Sequence, residues 1–315
     1  MYLIGEKMNC KNVLILTMLL IASVSFPQKR AFTIEDLYKV KNVSSPMLSN
    51  SGEKIAFTVS ESDLPKGKSI TTVYVMNKNG SSLISVSDKV PGAHSPFWSS
   101  SDDLYLINKG QVYKYSFETN ELVQVTDFYA GVSDPILSND GRYIAFTAEL
   151  FPECGTDNDC NKRLDESSSN GPVQAYIADE LLFRHWTDYK GEKESYLVLF
   201  DTKEKKYQTI TSSDVLAGAY MLGGGPKFAF SPDSRVLAYV SSPEKNIANS
   251  TNTDIYLMPI GGKEAVNITL ANDAWDGSPV FSPDGNYIAY KTHSIPGFEA
   301  DRFRIAVYNT HTLQA

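Results

Sequence analysis

Two residue types that carry much of enzyme chemistry are scarce in this 315-residue chain, which has four histidines and three cysteines. It contains no Gly-x-Ser-x-Gly nucleophile elbow, and none of its histidines stands near a nucleophile signature. It also lacks the glycine-rich loop with lysine and hydroxyl that binds phosphates, and any His/Cys spacing typical of a metal site. We therefore expect no catalytic residue, no cofactor and no metal.

Positive charge is in deficit. The chain has 29 Lys and Arg against 37 Asp and Glu, a formal net charge of −8 at pH 7. This balance argues against a nucleic acid or an anionic membrane as partner. Hydrophobic residues at 42% and charged residues at 21% are ordinary for a globular protein, and this length can bury a sizeable core.

The most continuous apolar run lies near the N-terminus, at residues 13–24. Lys7 and Lys11 precede the run, and the small residue Ser25 suits a cleavage site. This layout is typical of a secretory signal peptide over residues 1–25; an uncleaved membrane anchor is the alternative. We expect an exported protein, periplasmic or secreted, with no membrane contact after signal cleavage.

Cleavage of that segment removes Cys10 and leaves Cys154 and Cys160, in a loop rich in turn-forming residues. An even pair of cysteines in an exported protein predicts a disulfide between them. A metal site is the alternative, but it would need further ligands and no histidine is close in sequence.

A turn motif occurs five times, each copy joining a short apolar segment through a serine-containing polar turn to a burst of strand-forming residues. The copies contain Pro46, Pro96, Pro135, Pro226 and Pro279. Paired strand signals lie between the copies, so each unit reads as four short strands. Such a unit cannot bury its faces alone, and stacking units around an axis covers them. The sequence therefore predicts an all-β fold, a β-propeller of WD40-like blades, in which the Asp-Gly and Ser-Gly pairs supply positive backbone angles at turns.

The propeller is expected over residues 32–315, with about five blades. The longest step between copies contains an insertion, at residues 149–194. The final residues enter the second half of a hairpin, which would leave strand edges unpaired. We therefore expect an incomplete propeller whose further blades are absent; a five-bladed ring closed by the N-terminal segment is the alternative.

The insertion holds the candidate binding residues. Apolar residues at helical spacing over 173–184 predict a short amphipathic helix. Glu180 lies on it, and Arg184, His185 and Trp186 stand side by side at its end. Such a cluster suits recognition of a charged or peptide ligand. The alternative, which spacing alone favours, is that Trp186 packs against a blade while Glu180 and Arg184 form an i,i+4 surface pair.

Several segments resemble a known family. Residues 32–37 and 43–46 resemble the propeller start of the prolyl oligopeptidase family of serine peptidases. Residues 151–154, Cys160 and residues 181–186 resemble a stretch in bacterial members of its dipeptidyl peptidase 5 and acylaminoacyl-peptidase branch. The turn motif itself is shared with TolB-like propellers. The resemblance covers almost all of the chain after the signal peptide.

The resemblance implies a propeller that caps a C-terminal α/β-hydrolase domain, admits only short peptides, and leaves the catalytic Ser, Asp and His to that domain. This chain offers no residue for the triad, so the hydrolase domain is expected to be absent from it. The resemblance also implies that the insertion helps to hold the substrate's N-terminal end. Glu180 would pair with the α-ammonium group, and Arg184 and Trp186 would orient the peptide, with His185 beside them.

Two functions remain. The first is the substrate-gating portion of an exported serine exopeptidase that releases short N-terminal peptides; its partners would be the peptide substrate and the parent protein's hydrolase domain. The second is a non-catalytic TolB-like propeller that binds peptides or proteins.

Overall fold

The computed structural model describes residues 30–88, 90–171, 175, 177–179, 181, 183–185, 188–189, 191–211, 225–244 and 247–314. The predicted signal peptide at 1–25 lies outside these residues. The described part contains two α-helices, α1 (Ile34–Leu37) and α2 (Asn158–Asn170), and 3-10 turns at Leu64–Lys66 and Ile247–Asn249. Neither α-helix has the length and apolar character needed to span a bilayer.

Most described strands belong to five antiparallel sheets that follow one another along the chain. Sheet 1 contains β1 (Asn42–Leu48), β2 (Lys54–Asp63), β3 (Lys68–Asn77) and β4 (Ile84–Ser85), and sheet 2 contains β5 (His94–Trp98), β6 (Leu104–Asn108), β7 (Gln111–Ser116) and β8 (Glu121–Gln124). Sheet 3 begins with β9 (Ser133–Leu137) and β10 (Tyr143–Leu150), is interrupted by the two-stranded ribbon of β11 (Arg184–His185) and β12 (Asp188–Tyr189), and ends with β13 (Glu194–Asp201) and β14 (Lys206–Thr209). Sheet 4 contains β15 (Phe228–Phe230), β16 (Val236–Ser241), β17 (Asp254–Pro259) and β18 (Val266–Asn267), and sheet 5 contains β19 (Asp276–Phe281), β20 (Tyr287–Thr292) and β21 (Arg304–Asn309).

The predicted propeller architecture is confirmed. Within each sheet the strands pair in the order in which they follow along the chain, as in propeller blades. Sheets 1 to 4 have four strands each, and three strands of sheet 5 are described.

The sheets stack face to face because alternate side chains of a strand point to opposite faces. On β10, Ile144 and Phe146 join a buried cluster with Val112 of sheet 2. The intervening Ala145 lies in a second cluster, with Leu237 of sheet 4. Similar apolar clusters join sheets 1 and 2 and sheets 4 and 5. The core is therefore a series of layers between consecutive sheets.

The recurring serine and aspartate of the turn motif form a hydrogen-bonded turn. In sheet 3, the Ser138 hydroxyl donates to Asp140 Oδ1 at 2.6 Å and accepts from the Tyr143 backbone N–H at 2.9 Å. The same two bonds occur in sheets 4 and 5, from Ser231 and Ser282. The glycine that follows has positive φ, as predicted, at 71° for Gly141. The motif is thus structural.

These turns lie side by side on one face of the stack, which we call the turn face. It comprises residues 49–53, 99–103, 138–142, 231–235 and 282–286. The Asn50 side chain donates to the Ser100 carbonyl at 2.9 Å, and the Asn139 side chain donates to the Pro232 carbonyl at 3.0 Å. Connections between the second and third strands lie on the opposite face, the insertion face, because consecutive antiparallel strands turn at opposite ends.

The residue before the repeat proline has positive φ, a feature that the sequence pattern does not reveal. The angles are 51° at Ser45, 49° at Ser95, 51° at Asp134 and 56° at Ser278. Each of these positions coincides with a shift in the pairing register of the first strand with the second. A β-bulge therefore recurs beside the proline, which has no N–H to donate to the ladder.

Candidate functional site

The candidate site is the segment 151–193, which joins the second and third strands of sheet 3. β10 and β13 pair continuously from Tyr143↔Asp201 to Leu150↔Glu194. The segment thus leaves the sheet and returns to it at the insertion face. Sheet 2 makes the equivalent connection in two residues, Lys109 and Gly110. The inserted segment is therefore additional to what the fold requires.

The insertion begins with a loop closed by a disulfide, as predicted. Cys154 and Cys160 are bonded, with their Cα atoms 5.5 Å apart. Within this loop the Asp157 side chain accepts a hydrogen bond from the Cys160 backbone N–H at 2.9 Å and caps the N-terminus of α2. The disulfide and the cap together position the first turn of the helix.

Two asparagines attach α2 to the propeller. The buried Asn161 side chain accepts from the Phe151 N–H at 3.1 Å and donates to the Gly155 carbonyl at 2.9 Å. The Asn158 side chain accepts from the Tyr129 N–H at 2.8 Å, in the link between sheets 2 and 3. These bonds hold α2 against the residue that follows β10 and against the link between sheets 2 and 3.

A lysine at the end of the insertion completes this attachment. The Lys193 ammonium group lies 2.6 Å from an Asp165 carboxylate oxygen and 5.3 Å from the centroid of the Phe151 ring. The pKa of Tyr129, nearby, is raised, chiefly by loss of hydration and also by Asp165. The acidic α2 therefore faces the link between sheets 2 and 3.

The predicted helix over 173–184 is wrong. Residues 175, 177–179, 181 and 183, the described part of that stretch before β11, are not helical, and the helix lies earlier, in the polar run Asn158–Asn170. Asp157 and the disulfide favour helix initiation there, whereas Gly171 is extended, at φ −63° and ψ 151°, before Pro172. Helical spacing of apolar residues did not reveal this local capping.

The predicted binding residues are only partly described. Arg184 and His185 form β11, and they pair with Tyr189 and Asp188 of β12 in an antiparallel ribbon. The Arg184 side chain is exposed. Glu180 and Trp186 lie outside the described residues, so the predicted grouping of four side chains stays a prediction.

The described part of the insertion has exposed apolar side chains, and its sequence is acidic. Ile177 is 89% exposed, Leu181 64% and Phe183 46%. Between residues 149 and 194 the chain has eleven acidic and five basic residues. An exposed apolar surface with excess negative charge suits a ligand with an amine and an apolar side chain.

The described residues outside the insertion show no catalytic arrangement. His94 hydrogen-bonds Ser95 beside it at 2.9 Å, and His311 hydrogen-bonds Asn286 at 2.6 Å. His293 is buried, with its ring centroid 4.5 Å from that of Phe303. No group of three or more His, Cys, Asp or Glu side chains suited to a metal occurs in the part of the chain that the structure describes.

A surface cavity of about 460 Å³ lies beside α1 and the β2–β3 connection, away from the insertion. Two acidic groups on its wall are paired, Glu61 with Lys41 at 2.7 Å and Asp63 with Lys66 at 2.8 Å, and the wall also contains Glu35 and Lys39. This local neutralisation gives the cavity little ability to select a charged ligand.

Comparison with known proteins gives relatives among the dipeptidyl peptidases. No protein-family model matches the chain. Dipeptidyl-peptidase 5 of Porphyromonas endodontalis is 25% identical over 293 residues, which are 88% of this chain and 41% of that protein. Dipeptidyl-peptidase 5 of Porphyromonas gingivalis is also 25% identical over 293 residues, covering 89% and 41%. The chain therefore spans about two fifths of the length of these relatives.

A solved structure supports the fold. Uncomplexed acylaminoacyl peptidase of Pyrococcus horikoshii superposes with a TM-score of 0.61 at 11% identity, covering 86% of this chain and 38% of that one. The sequence similarity to dipeptidyl-peptidase 5 confirms the resemblance to this branch of the family.

Proposed function

As a relative of the dipeptidyl-peptidase 5 branch of the prolyl oligopeptidase family, this chain is, we propose, the substrate-gating propeller portion of an exported serine exopeptidase. The observation that carries the proposal is the sequence match over 88% of the chain to only 41% of dipeptidyl-peptidase 5. The part of this chain that matches consists mainly of the stacked sheets. In the proposed parent protein, a hydrolase domain would supply the serine nucleophile for acyl transfer.

The two faces of the stack suit different tasks. On the turn face, hydrogen bonds between turns link neighbouring sheets. The insertion face carries the long connections, including the disulfide loop and α2. Binding residues are commonly placed on loops that a rigid scaffold positions. The proposed peptide site therefore lies on the insertion face.

The insertion would receive the N-terminal end of a short peptide. Its excess of carboxylates attracts a protonated α-amino group, and Glu180 is the proposed direct partner. The exposed Arg184 would donate hydrogen bonds to a peptide carbonyl, and Trp186 and Phe183 would contact an apolar side chain. His185, adjacent on β11, completes the proposed binding group.

Export is part of the proposal. Residues 1–25 have the layout of a signal peptide, and the Cys154–Cys160 disulfide suits an oxidising compartment such as the periplasm or the extracellular medium.

The reading frame after the codon for Ala315 provides the test. We expect it to continue and to encode a Gly-x-Ser-x-Gly elbow, and the full product to hydrolyse short peptides from their N-termini. The 315-residue chain, purified alone, should be inactive in the same assay. A stop codon at this point, or a full product without peptidase activity, would contradict the proposal and favour the alternative, a non-catalytic propeller that binds peptides or proteins.

A further inference from the structure

Two carboxylates are buried between sheets 4 and 5. Asp254 begins β17 and Asp276 begins β19, and each residue is only 1% exposed. The backbone brings them together, because the Asp276 N–H donates to the Thr253 carbonyl at 2.9 Å and the Thr253 hydroxyl donates to the Asp276 carbonyl at 2.8 Å. The two sheets thus each contribute one carboxylate to one junction.

The surroundings of these carboxylates are polar but incomplete. Asp254 accepts from the Thr269 hydroxyl at 3.1 Å and from the Asn267 side chain at 2.8 Å. Asp276 Oδ2 accepts from the Asn272 side chain at 3.1 Å, whereas its buried Oδ1 has no hydrogen-bond partner. A buried polar atom without a partner calls for an explanation, such as a bound ion.

The fold does not need acidic residues here, as its own repeats demonstrate. The hydroxyl of Thr269 accepts a hydrogen bond from the N–H of Ile255, the residue after Asp254. The hydroxyls of Ser87 in sheet 1 and Thr126 in sheet 2 accept the equivalent backbone hydrogen bond. At the position of Asp254 these repeats have Thr72 and Gln111.

Asp276 also has neutral counterparts. It precedes its repeat proline by three residues, and the residues at this offset in sheets 2 and 3 are Ala93 and Val132. Both are buried, at 0% and 4% exposure. The carboxylates at the junction of sheets 4 and 5 are therefore a departure from the repeat.

The ion pairs between described residues include neither Asp254 nor Asp276. Both carboxylates are withdrawn from water, since each residue is only 1% exposed, and Asp273 and Glu244 add further negative charge around Asp254. Burial of two carboxylates without a counter-charge is strongly unfavourable.

We propose that Asp254 and Asp276 bind a calcium ion that joins sheet 4 to sheet 5. Calcium takes six to eight oxygen ligands, and it accepts carboxylate, carbonyl, amide and water oxygens in flexible geometry. The free Oδ1 of Asp276 and the Asp254 carboxylate are the charged ligands. The Asn252 side-chain oxygen, also buried without a partner, lies two residues before Asp254 and is the further ligand that we assign.

A site of this kind is not predicted by any His/Cys spacing in the sequence. Its ligands are oxygens from two sheets, separated along the chain by 22 residues, and their meeting depends on sheet stacking. Two carboxylates with neutral oxygens favour a modest affinity, in the range of extracellular calcium modules. The site would stabilise the propeller independently of the proposed peptidase role.

Thermal unfolding of the 315-residue chain with and without calcium tests the proposal. We expect Tm to rise by about 5 °C when calcium reaches one hundred times its dissociation constant. Magnesium and sodium at equal concentration should have much smaller effects. Asp276→Asn, which keeps the shape of the side chain, should abolish the calcium-dependent rise. The control Glu264→Gln, which removes an exposed carboxylate from the β17–β18 connection of sheet 4, should retain it.

A second measurement does not depend on how the variant folds. Terbium bound at this site should emit on excitation of the neighbouring Trp275, and calcium should displace it from the unmodified chain. A wild-type chain whose Tm ignores calcium and that sensitises no terbium overturns the proposal. So does an Asp276→Asn variant, folded by circular dichroism, that responds to calcium like the wild type.

Discussion

The side chain of Asn161 accepts a hydrogen bond from the backbone N–H of Phe151 at 3.1 Å. The bond joins the first turn of α2 to the residue that follows β10, and Asn161 is only 2% exposed. One side chain therefore couples α2 to the point at which the chain leaves β10, and the strength of this coupling can be measured.

Asn161→Ala should destabilise the protein. The substitution leaves the N–H of Phe151 buried without its partner, so the free energy of unfolding should fall by about 1–3 kcal/mol. Urea unfolding measures this loss. Asn170→Ala, at the exposed end of the same helix, is the control and should change the free energy by less than about 0.5 kcal/mol. Equal effects of the two substitutions would contradict the proposed coupling.

Removal of the disulfide should also destabilise the chain. The Cys154→Ser, Cys160→Ser double variant loses the constraint on a short loop, which costs about 2 kcal/mol in the chain-entropy model. Urea unfolding of the wild type under reducing conditions should give the same loss. If the reductant leaves the midpoint unchanged while the double variant unfolds earlier, the serine side chains, and not the missing bond, would be responsible.

Asp301 should stabilise the β20–β21 connection in a pH-dependent manner. Its carboxylate accepts from the Ser294 N–H at 2.8 Å and pairs with Arg304 at 3.0 Å, and these contacts hold its pKa well below the usual range. Because the folded-state pKa is below the unfolded one, the contribution is complete above the ordinary carboxyl pKa of about 3.9. It is lost as the pH falls from there through the folded-state pKa.

Asp301→Asn should therefore lower Tm at pH 7, and its difference from the wild type should shrink as the pH falls below about 4. Thermal unfolding across this pH range provides the measurement. Glu299→Gln, in the same connection, is the control and should follow the wild type. A Tm difference that is constant with pH would assign the effect to packing.

Arg184→Gln tests the proposed role of the insertion. In the full-length peptidase that we propose, the loss of a charged hydrogen bond to the substrate should raise KM for short peptides by about tenfold and leave kcat nearly unchanged. Arg235→Gln makes the same chemical change on the turn face and should have no effect. An unchanged KM, or a loss of kcat alone, would remove Arg184 from the binding site.

Much of the fold could be predicted from the sequence because its signals are local. Each turn motif places a serine and further polar or turn-forming residues within a few positions, and these residues hydrogen-bond one another, as Ser138 and Asp140 do. Period-two alternation, as at Ile144 and Phe146, shows which side chains face a neighbouring sheet. The Cys154–Cys160 bond was predictable for the same reason, since it closes a short loop.

The insertion was less predictable because two local signals compete there. Apolar spacing favoured a helix over 173–184, whereas α2 forms where Asp157 supplies a cap and the disulfide restrains the first turn. Capping and covalent restraint offset the cost of helix initiation, which apolar periodicity alone does not.

By itself, then, the sequence determined the repeating four-stranded unit, its turns and its disulfide, since each depends on residues close together in the chain. Only the tertiary structure decided that Asn161 would bond to Phe151 and that Asp254 and Asp276 would share a buried junction. The junction of Asp254 and Asp276 has a physical reason. The two carboxylates come together and lose their hydration only when sheet 4 and sheet 5 stack.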